Sequence, residues 1–146
     1  MKLALENLKQ NMQGALHIDA LYTSIYATDA SVYRKTPLAV AFPKNQSDLK
    51  KLLAFANKNM IGLIPRTAGT SLAGQCIGEG IVVDTSKHFN KILSLDKKKE
   101  TVCVEPGVIR DDLNRFTKEN GLFFGPNTST SNRCMMGALL ETNFWE

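Results

Sequence analysis

Residues 65–75 read Pro-Arg-Thr-Ala-Gly-Thr-Ser-Leu-Ala-Gly-Gln and lie between two apolar runs, Ile61-Gly62-Leu63-Ile64 and Ile81-Val82-Val83-Asp84. This spacing predicts two short buried strands joined by a loop with little side-chain bulk. Gly69 and Gly74, with the small Ala68, Thr70, Ser71 and Ala73, let successive backbone N–H groups converge on an anion. The hydroxyls and Arg66 add further donors. The residues leave one alternative open, a glycine-rich connection that holds no ligand.

Two familiar phosphate motifs are excluded. Gly69 and Gly74 have the spacing of the nucleoside triphosphatase loop, but Gln75 and Cys76 stand where that motif needs Lys and then Ser or Thr. The dinucleotide fingerprint of the doubly wound fold fails because its glycine spacing is absent and no helical period follows the loop directly.

Around the loop the chain reads as a mixed domain. Leu38 to Phe42 form a short apolar run between Pro37 and Pro43 and are expected as a buried strand. Asn45 is a candidate N-cap, with Ser47 and Asp48 in the first turn. Leu49, Leu52, Leu53 and Ala56 recur at helical spacing, with Lys50, Lys51 and Lys58 on the wet face. A strand, this helix and the strand at 61–64 make a crossover unit with parallel strands, and such sheets bind ligands beyond their carboxyl ends. Downstream, residues 92–95 and 101–104 flank a charged turn and predict a hairpin. A helix is expected over 108–119, a last buried strand over 122–124, and a second hydroxyl-rich loop over 125–132. Upstream, apolar stripes through residues 1–30 predict two helices packed as an arm on a neighbour.

Composition narrows the function classes. A chain of 146 residues, 43% hydrophobic and 22% charged, suits one soluble domain. No apolar run reaches the ~20 residues of a membrane-spanning helix, and the start lacks a signal peptide's apolar core, so a cytoplasmic protein with no membrane span is expected. The formal charge of +4 comes from lysines at a turn and on a helix face, with no basic stripe interleaved with aromatics, so nucleic acid is not an expected partner. Cys76, Cys103 and Cys134 are odd in number and far apart, and His17 and His88 are isolated. No metal site is expected from them.

Three ordered motifs carry a family resemblance: residues 65–75, Val104-Glu105-Pro106-Gly107-Val108, and Pro126-Asn127-Thr128-Ser129-Thr130-Ser131-Asn132-Arg133. Together they resemble the FAD-linked oxidases with a PCMH-type, vanillyl-alcohol-oxidase-like FAD-binding domain. Within these the chain looks closest to the glycolate oxidase and D-lactate dehydrogenase branch, and to its long members fused to an iron–sulfur oxidoreductase. The resemblance implies an α+β fold in which this chain holds the first subdomain, a βαβ unit plus hairpin and helices. Residues 1–35 would be a helical arm, 36–137 a partial FAD-binding domain, and 138–146 an aberrant or truncated tail. The tail expectation arises because the family's Gly-Gly-Met and Gly-Asn-Asn continuation is replaced here by residues 137–146.

The resemblance also implies the cofactor, FAD, and the residues that hold its pyrophosphate. Pro65, Arg66, Thr67, Ala68, Gly69, Thr70 and Ser71 would wrap it, Gly74 and Gln75 would close the turn, and Pro126, Thr128, Ser129 and Thr130 would approach from the other side. Thr67 departs from the glycine common in relatives and would be strained if its φ were positive. The implied activity of the parent is oxidation of a small 2-hydroxy acid of D-lactate or glycolate type by hydride transfer to FAD. The electron acceptor stays unassigned, and no catalytic or metal residue transfers onto this chain. Two other readings stand beside it: a non-catalytic truncated remnant, and a phosphate- or nucleotide-binding module of other ancestry.

Overall fold

The computed structural model describes residues 1–141, excluding the side chains of Leu140 and Glu141. Its elements in chain order are α1 (Lys2–Asn11), β1 (Ala15–His17), α2 (Ala20–Ile25), β2 (Ala39–Phe42), α3 (Gln46–Asn59), β3 (Leu63–Arg66), β4 (Ile81–Asp84), β5 (Ile92–Asp96), β6 (Thr101–Val104), α4 (Arg110–Lys118) and α5 (Met136–Glu141). Four strands form one sheet in the order β1-β2-β4-β3, and β5 and β6 form a separate hairpin.

The crossover unit is present, with one change in neighbours. β2 and β3 run parallel in the same sheet, but β4 inserts between them, pairing Val40 with Val82 and Ile64 with Val82. Burial explains the insertion. All four residues of β4 are buried, whereas β3 is half-exposed, so the more apolar strand takes the central position and β3 the edge. β3 also extends to Arg66, so Pro65 and Arg66 belong to the strand that delivers the loop. Pro65 is exposed on this edge strand, where a residue without an N–H is tolerated.

α3 forms as its caps dictate. Asn45 Oδ1 accepts from the Asp48 N–H at 3.0 Å, Leu52 and Ala56 are buried, and Leu52 packs with the sheet residues Ala39, Ala41, Ile81 and Val83. Complete burial of Leu52 contributes about 1.5–3 kcal/mol. The helix stops at Met60, which takes the left-handed conformation at φ 53°.

The expected N-terminal arm is corrected. Leu5, Leu8 and Met12 of the first helical segment and Leu16 of β1 pack in one cluster with Ala39, Ala41, Leu52, Ile81 and Val83. Residues 15–17 are a strand antiparallel to β2, with Leu16 opposite Ala41. A three-residue edge strand carries too little periodic signal to separate it from the helices around it. Asp48 secures the junction. Its fully buried carboxylate accepts the backbone N–H groups of Gln13, Gly14 and Lys44 at 2.9, 2.7 and 3.0 Å.

A second cluster holds Val108, Leu113, Cys134, Met136 and Leu139, with Ile92, Val102, Val104 and Phe124 packed on it. The strand expected over 122–124 does not form. Phe124 donates its N–H to Asn114 Oδ1 at 2.6 Å, and its carbonyl accepts from Asn114 Nδ2 at 3.3 Å. One side-chain amide thus satisfies the backbone groups that a neighbouring strand would have satisfied. Residues 136–141, part of them expected as an unpatterned tail, form α5 with Met136 and Leu139 buried. The remainder of that tail lies outside the described residues.

Candidate functional site

The glycine loop leaves the carboxyl end of β3 beside the carboxyl end of β4, where parallel sheets collect ligands. Its tightest bends fall at Gly69, φ 68°, and Gly74, φ 71°. Thr67 does not share that geometry: the non-glycine residues with positive φ, among those described, are Met60 and Glu100. A β-branched residue is therefore accommodated at 67 without backbone strain.

The loop backbone is open on one side. Among the described residues, no acceptor engages the N–H groups of Thr67, Ala68, Gly69 and Thr70. Ser71 serves the loop itself: its Oγ donates to Gln75 Oε1 at 2.9 Å and accepts from the N–H groups of Ala73 and Gln75. Gln75 thereby ties the far side of the bend to its start. Gly74 lies against the ring of Tyr33, on the outer side of the loop.

The second loop faces the first because α4 holds it there. Arg110 Nε donates to the Pro126 carbonyl at 2.7 Å, and Ser131 Oγ donates to Asp111 Oδ2 at 3.1 Å. Residues 130–134 close a tight turn in which the N–H groups of Arg133 and Cys134 both donate to the Thr130 carbonyl. Gly137 then donates its N–H to the Pro106 carbonyl at 2.8 Å, and a Cβ there would sit 2.7 Å from the Pro106 ring. The Pro106 ring leaves no room for a side chain at this point, so the position requires glycine.

Between the loops lies a cavity of ≈ 660 Å³, within the range of small-molecule and cofactor sites. Pro65, Arg66, Thr67, Gly69, Thr70, Ser71 and Gln75 line one wall, and Thr128, Ser129 and Thr130 the other. Of the residues expected at a site, Ala68, Gly74 and Pro126 do not line it. Sequence reasoning missed Ala30, Cys76, Thr85, Pro106, Arg133 and Cys134, which the fold brings to the same cavity. Pro106 and Arg133 stood inside recognisable motifs, and that was their available signal. The others sit there through tertiary contacts.

The donor set suits an anion. Thr128 Oγ1 is buried and, among the described residues, has no hydrogen-bond partner. A buried unpartnered hydroxyl costs about 1–3 kcal/mol and is expected where a ligand supplies the missing partner. Arg66, by contrast, is engaged: its Nη1 donates to the Thr28 carbonyl at 2.8 Å and its guanidinium lies 4.8 Å over the Tyr26 ring. Burial pushes the Cys76 thiol up, beyond what the nearby Arg66 charge offsets, so it is held protonated and donates to Asp29 Oδ2 at 3.4 Å. A protonated, buried thiol is a packing group rather than a nucleophile.

The two histidines are apart from this cavity. His17 stacks on Tyr22 at 3.5 Å and meets the edge of Phe42. Among the described residues no group of His, Cys, Asp and Glu is placed to hold a metal ion, and no helix is long and apolar enough to cross a membrane.

Unengaged amides at the carboxyl end of parallel strands, with a hydroxyl loop across a cavity, are a donor arrangement suited to a phosphate-bearing ligand. The chain belongs to the family described as FAD binding domain, which matches residues 37–146, and its cofactor is FAD. It is 43% identical over 120 residues to a D-2-hydroxyglutarate dehydrogenase of Haemophilus influenzae, covering 80% of this chain and 12% of that protein. It is 34% identical over 121 residues to the glycolate oxidase subunit GlcD of Bacillus subtilis, covering 82% of this chain and 26% of that protein. The chain thus spans about an eighth of the dehydrogenase it matches and a quarter of the oxidase subunit. The fold is shared with an alkyldihydroxyacetonephosphate synthase, at a TM-score of 0.80 and 18% identity over 96% of this chain and 31% of that one.

Proposed function

We propose that the two loops grip the diphosphate bridge of FAD, and that the chain is the cofactor-holding part of a flavin-dependent dehydrogenase acting on a 2-hydroxy acid. One observation supports the first half: Thr67, Gly69 and Thr70 line the cavity with amides that have no acceptor among the described residues, and Thr128 on the opposite wall carries a buried hydroxyl without a partner. The amides of Thr67, Gly69 and Thr70 would donate to phosphate oxygens, with Ala68, off the cavity wall, spacing them. Ser71, Gly74 and Gln75 fix the bend that aims them. The hydroxyls of Thr128, Ser129 and Thr130 would complete the shell from the opposite wall, and Pro65 and Pro126 set where each loop begins.

The second half rests on relatives named for D-2-hydroxyglutarate and glycolate. Bound FAD supplies a hydride acceptor for the carbon that bears the substrate hydroxyl. This chain's residues bind and orient the cofactor, and none is assigned a proton-transfer role. Residues 36–137 would be the first part of the cofactor domain.

The test is a titration of the purified chain with FAD, followed by flavin fluorescence. Binding that is lost in Gly69→Val while circular dichroism and cooperative unfolding are retained is the expected result. Undiminished affinity in that variant would remove the loop assignment.

A further inference from the structure

The geometry points to Arg133, rather than Arg66, as the side chain that supplies positive charge to the cofactor's phosphates. The inference rests on the reading of the cavity as the diphosphate site. Two arginines line that cavity, and they differ in what already holds them.

Arg66 is held at one edge and one face, and its Nη2 and Nε lie against Gly69. Its Nη1 donates to the Thr28 carbonyl at 2.8 Å, and its guanidinium covers the Tyr26 ring at 4.8 Å. Tyr26 in turn donates to the Asp84 carboxylate at 2.6 Å. Arg66 also lies near enough to Asp29 for its charge to favour that carboxylate's ionised form. The segment carrying these partners is fastened to the glycine loop: the Ala30 N–H donates to the Gly69 carbonyl at 3.2 Å, and the Cys76 thiol donates to Asp29. Rotating the whole guanidinium off Tyr26 would sacrifice a hydrogen bond, a ring contact and a nearby carboxylate together, which limits Arg66 to its Nη2 edge. Arg66 is therefore a clamp between the loop and residues 26–30.

Arg133 has none of these engagements. Its backbone is fixed by the turn to Thr130, but among the described residues its guanidinium has no ion pair or hydrogen bond. Asp111, the carboxylate that anchors its loop, is taken by Arg110 and Ser131. Arg133 is exposed, so its charge stays hydrated until an anion arrives, and with Thr128, Ser129 and Thr130 it lines the same cavity as Thr67, Gly69 and Thr70. A guanidinium with its fork of donors uncommitted is suited to a diphosphate.

The experiment titrates FAD and riboflavin, which lacks phosphate, into the chain and into Arg133→Gln, Arg133→Lys and Arg66→Gln. Arg133→Gln is expected to weaken FAD about tenfold or more, to leave riboflavin unchanged, and to flatten the dependence of FAD affinity on ionic strength. Arg133→Lys should recover part of the loss. Arg66→Gln should lower the unfolding midpoint and leave the ratio of FAD to riboflavin affinity as it was. The inference is overturned if Arg133→Gln leaves that ratio unchanged, or if Arg66→Gln alone lowers it. Wild-type chain that holds FAD no tighter than riboflavin would overturn the diphosphate reading itself, and this inference with it.

Discussion

The Tyr26 hydroxyl donates to Asp84 Oδ2 at 2.6 Å, joining the end of α2 to the carboxyl end of β4. Asp84 is buried, and its other oxygen accepts both the N–H and the hydroxyl of Ser86. Tyr26→Phe keeps the ring beneath Arg66 and leaves one carboxylate oxygen without its donor. It is expected to cost about 1–2 kcal/mol in urea unfolding.

The same contact sets an alkaline limit. Burial, and then the Asp84 hydrogen bond, push the Tyr26 phenol above its ordinary value of 10.0. A raised folded value means that the neutral phenol is favoured in the fold. Its contribution is complete below pH ~10 and is lost as pH rises beyond that toward the folded value. Stability measured upward from pH ~9 should fall more steeply in the wild type than in Tyr26→Phe, and parallel curves would contradict this account.

Asp48 sets the acid limit. Burial works to raise its value, but the N–H groups of Lys44, Gln13 and Gly14, with the Lys51 charge, outweigh it and hold the carboxyl below its ordinary range. Its contribution is present above pH ~4 and lost as pH falls through the lowered value. Asp48→Ala leaves three backbone donors without their acceptor and should cost about 3 kcal/mol or more. The acid unfolding limb should also become shallower in that variant, which a pH series by circular dichroism would read directly.

Thr128→Val exchanges the orphaned hydroxyl for a methyl group of similar shape. The chain without cofactor should gain about 1 kcal/mol, since a buried unpartnered oxygen is removed. FAD affinity should fall in the same variant. A gain in both properties would show that the hydroxyl serves neither the fold nor the cofactor.

Met60 and Gly69 form a matched pair of backbone tests. Met60 sits at φ 53° and is 92% exposed, so Met60→Gly should stabilise the chain by about 1 kcal/mol without touching the cavity. Gly69→Ala forces a Cβ onto φ 68°, only 2.6 Å from Arg66 Nη2. It should cost about 1–2 kcal/mol and weaken FAD binding. Differential scanning calorimetry of both variants distinguishes the two outcomes.

What the sequence by itself determined were the features governed by neighbours along the chain. The Asn45 cap, the stripe through Leu52 and Ala56, the hairpin at β5 and β6, and the small-residue run at 67–71 all express local spacing, and each appears in the fold where it was expected. Tertiary structure decided what depends on competition between distant segments. β4 displaced β3 from the neighbourhood of β2 because it is the more apolar strand, and residues 15–17 became an edge strand because β2 offered them a free backbone edge. Asn114 satisfied Phe124 and removed the need for a final strand. The two arginines of the cavity are alike as residue types, and only the placement of Thr28, Tyr26 and Asp29 commits one while leaving the other free. A cation's role is fixed by which opposite charges and carbonyls reach it first, and that is a property of three-dimensional distance.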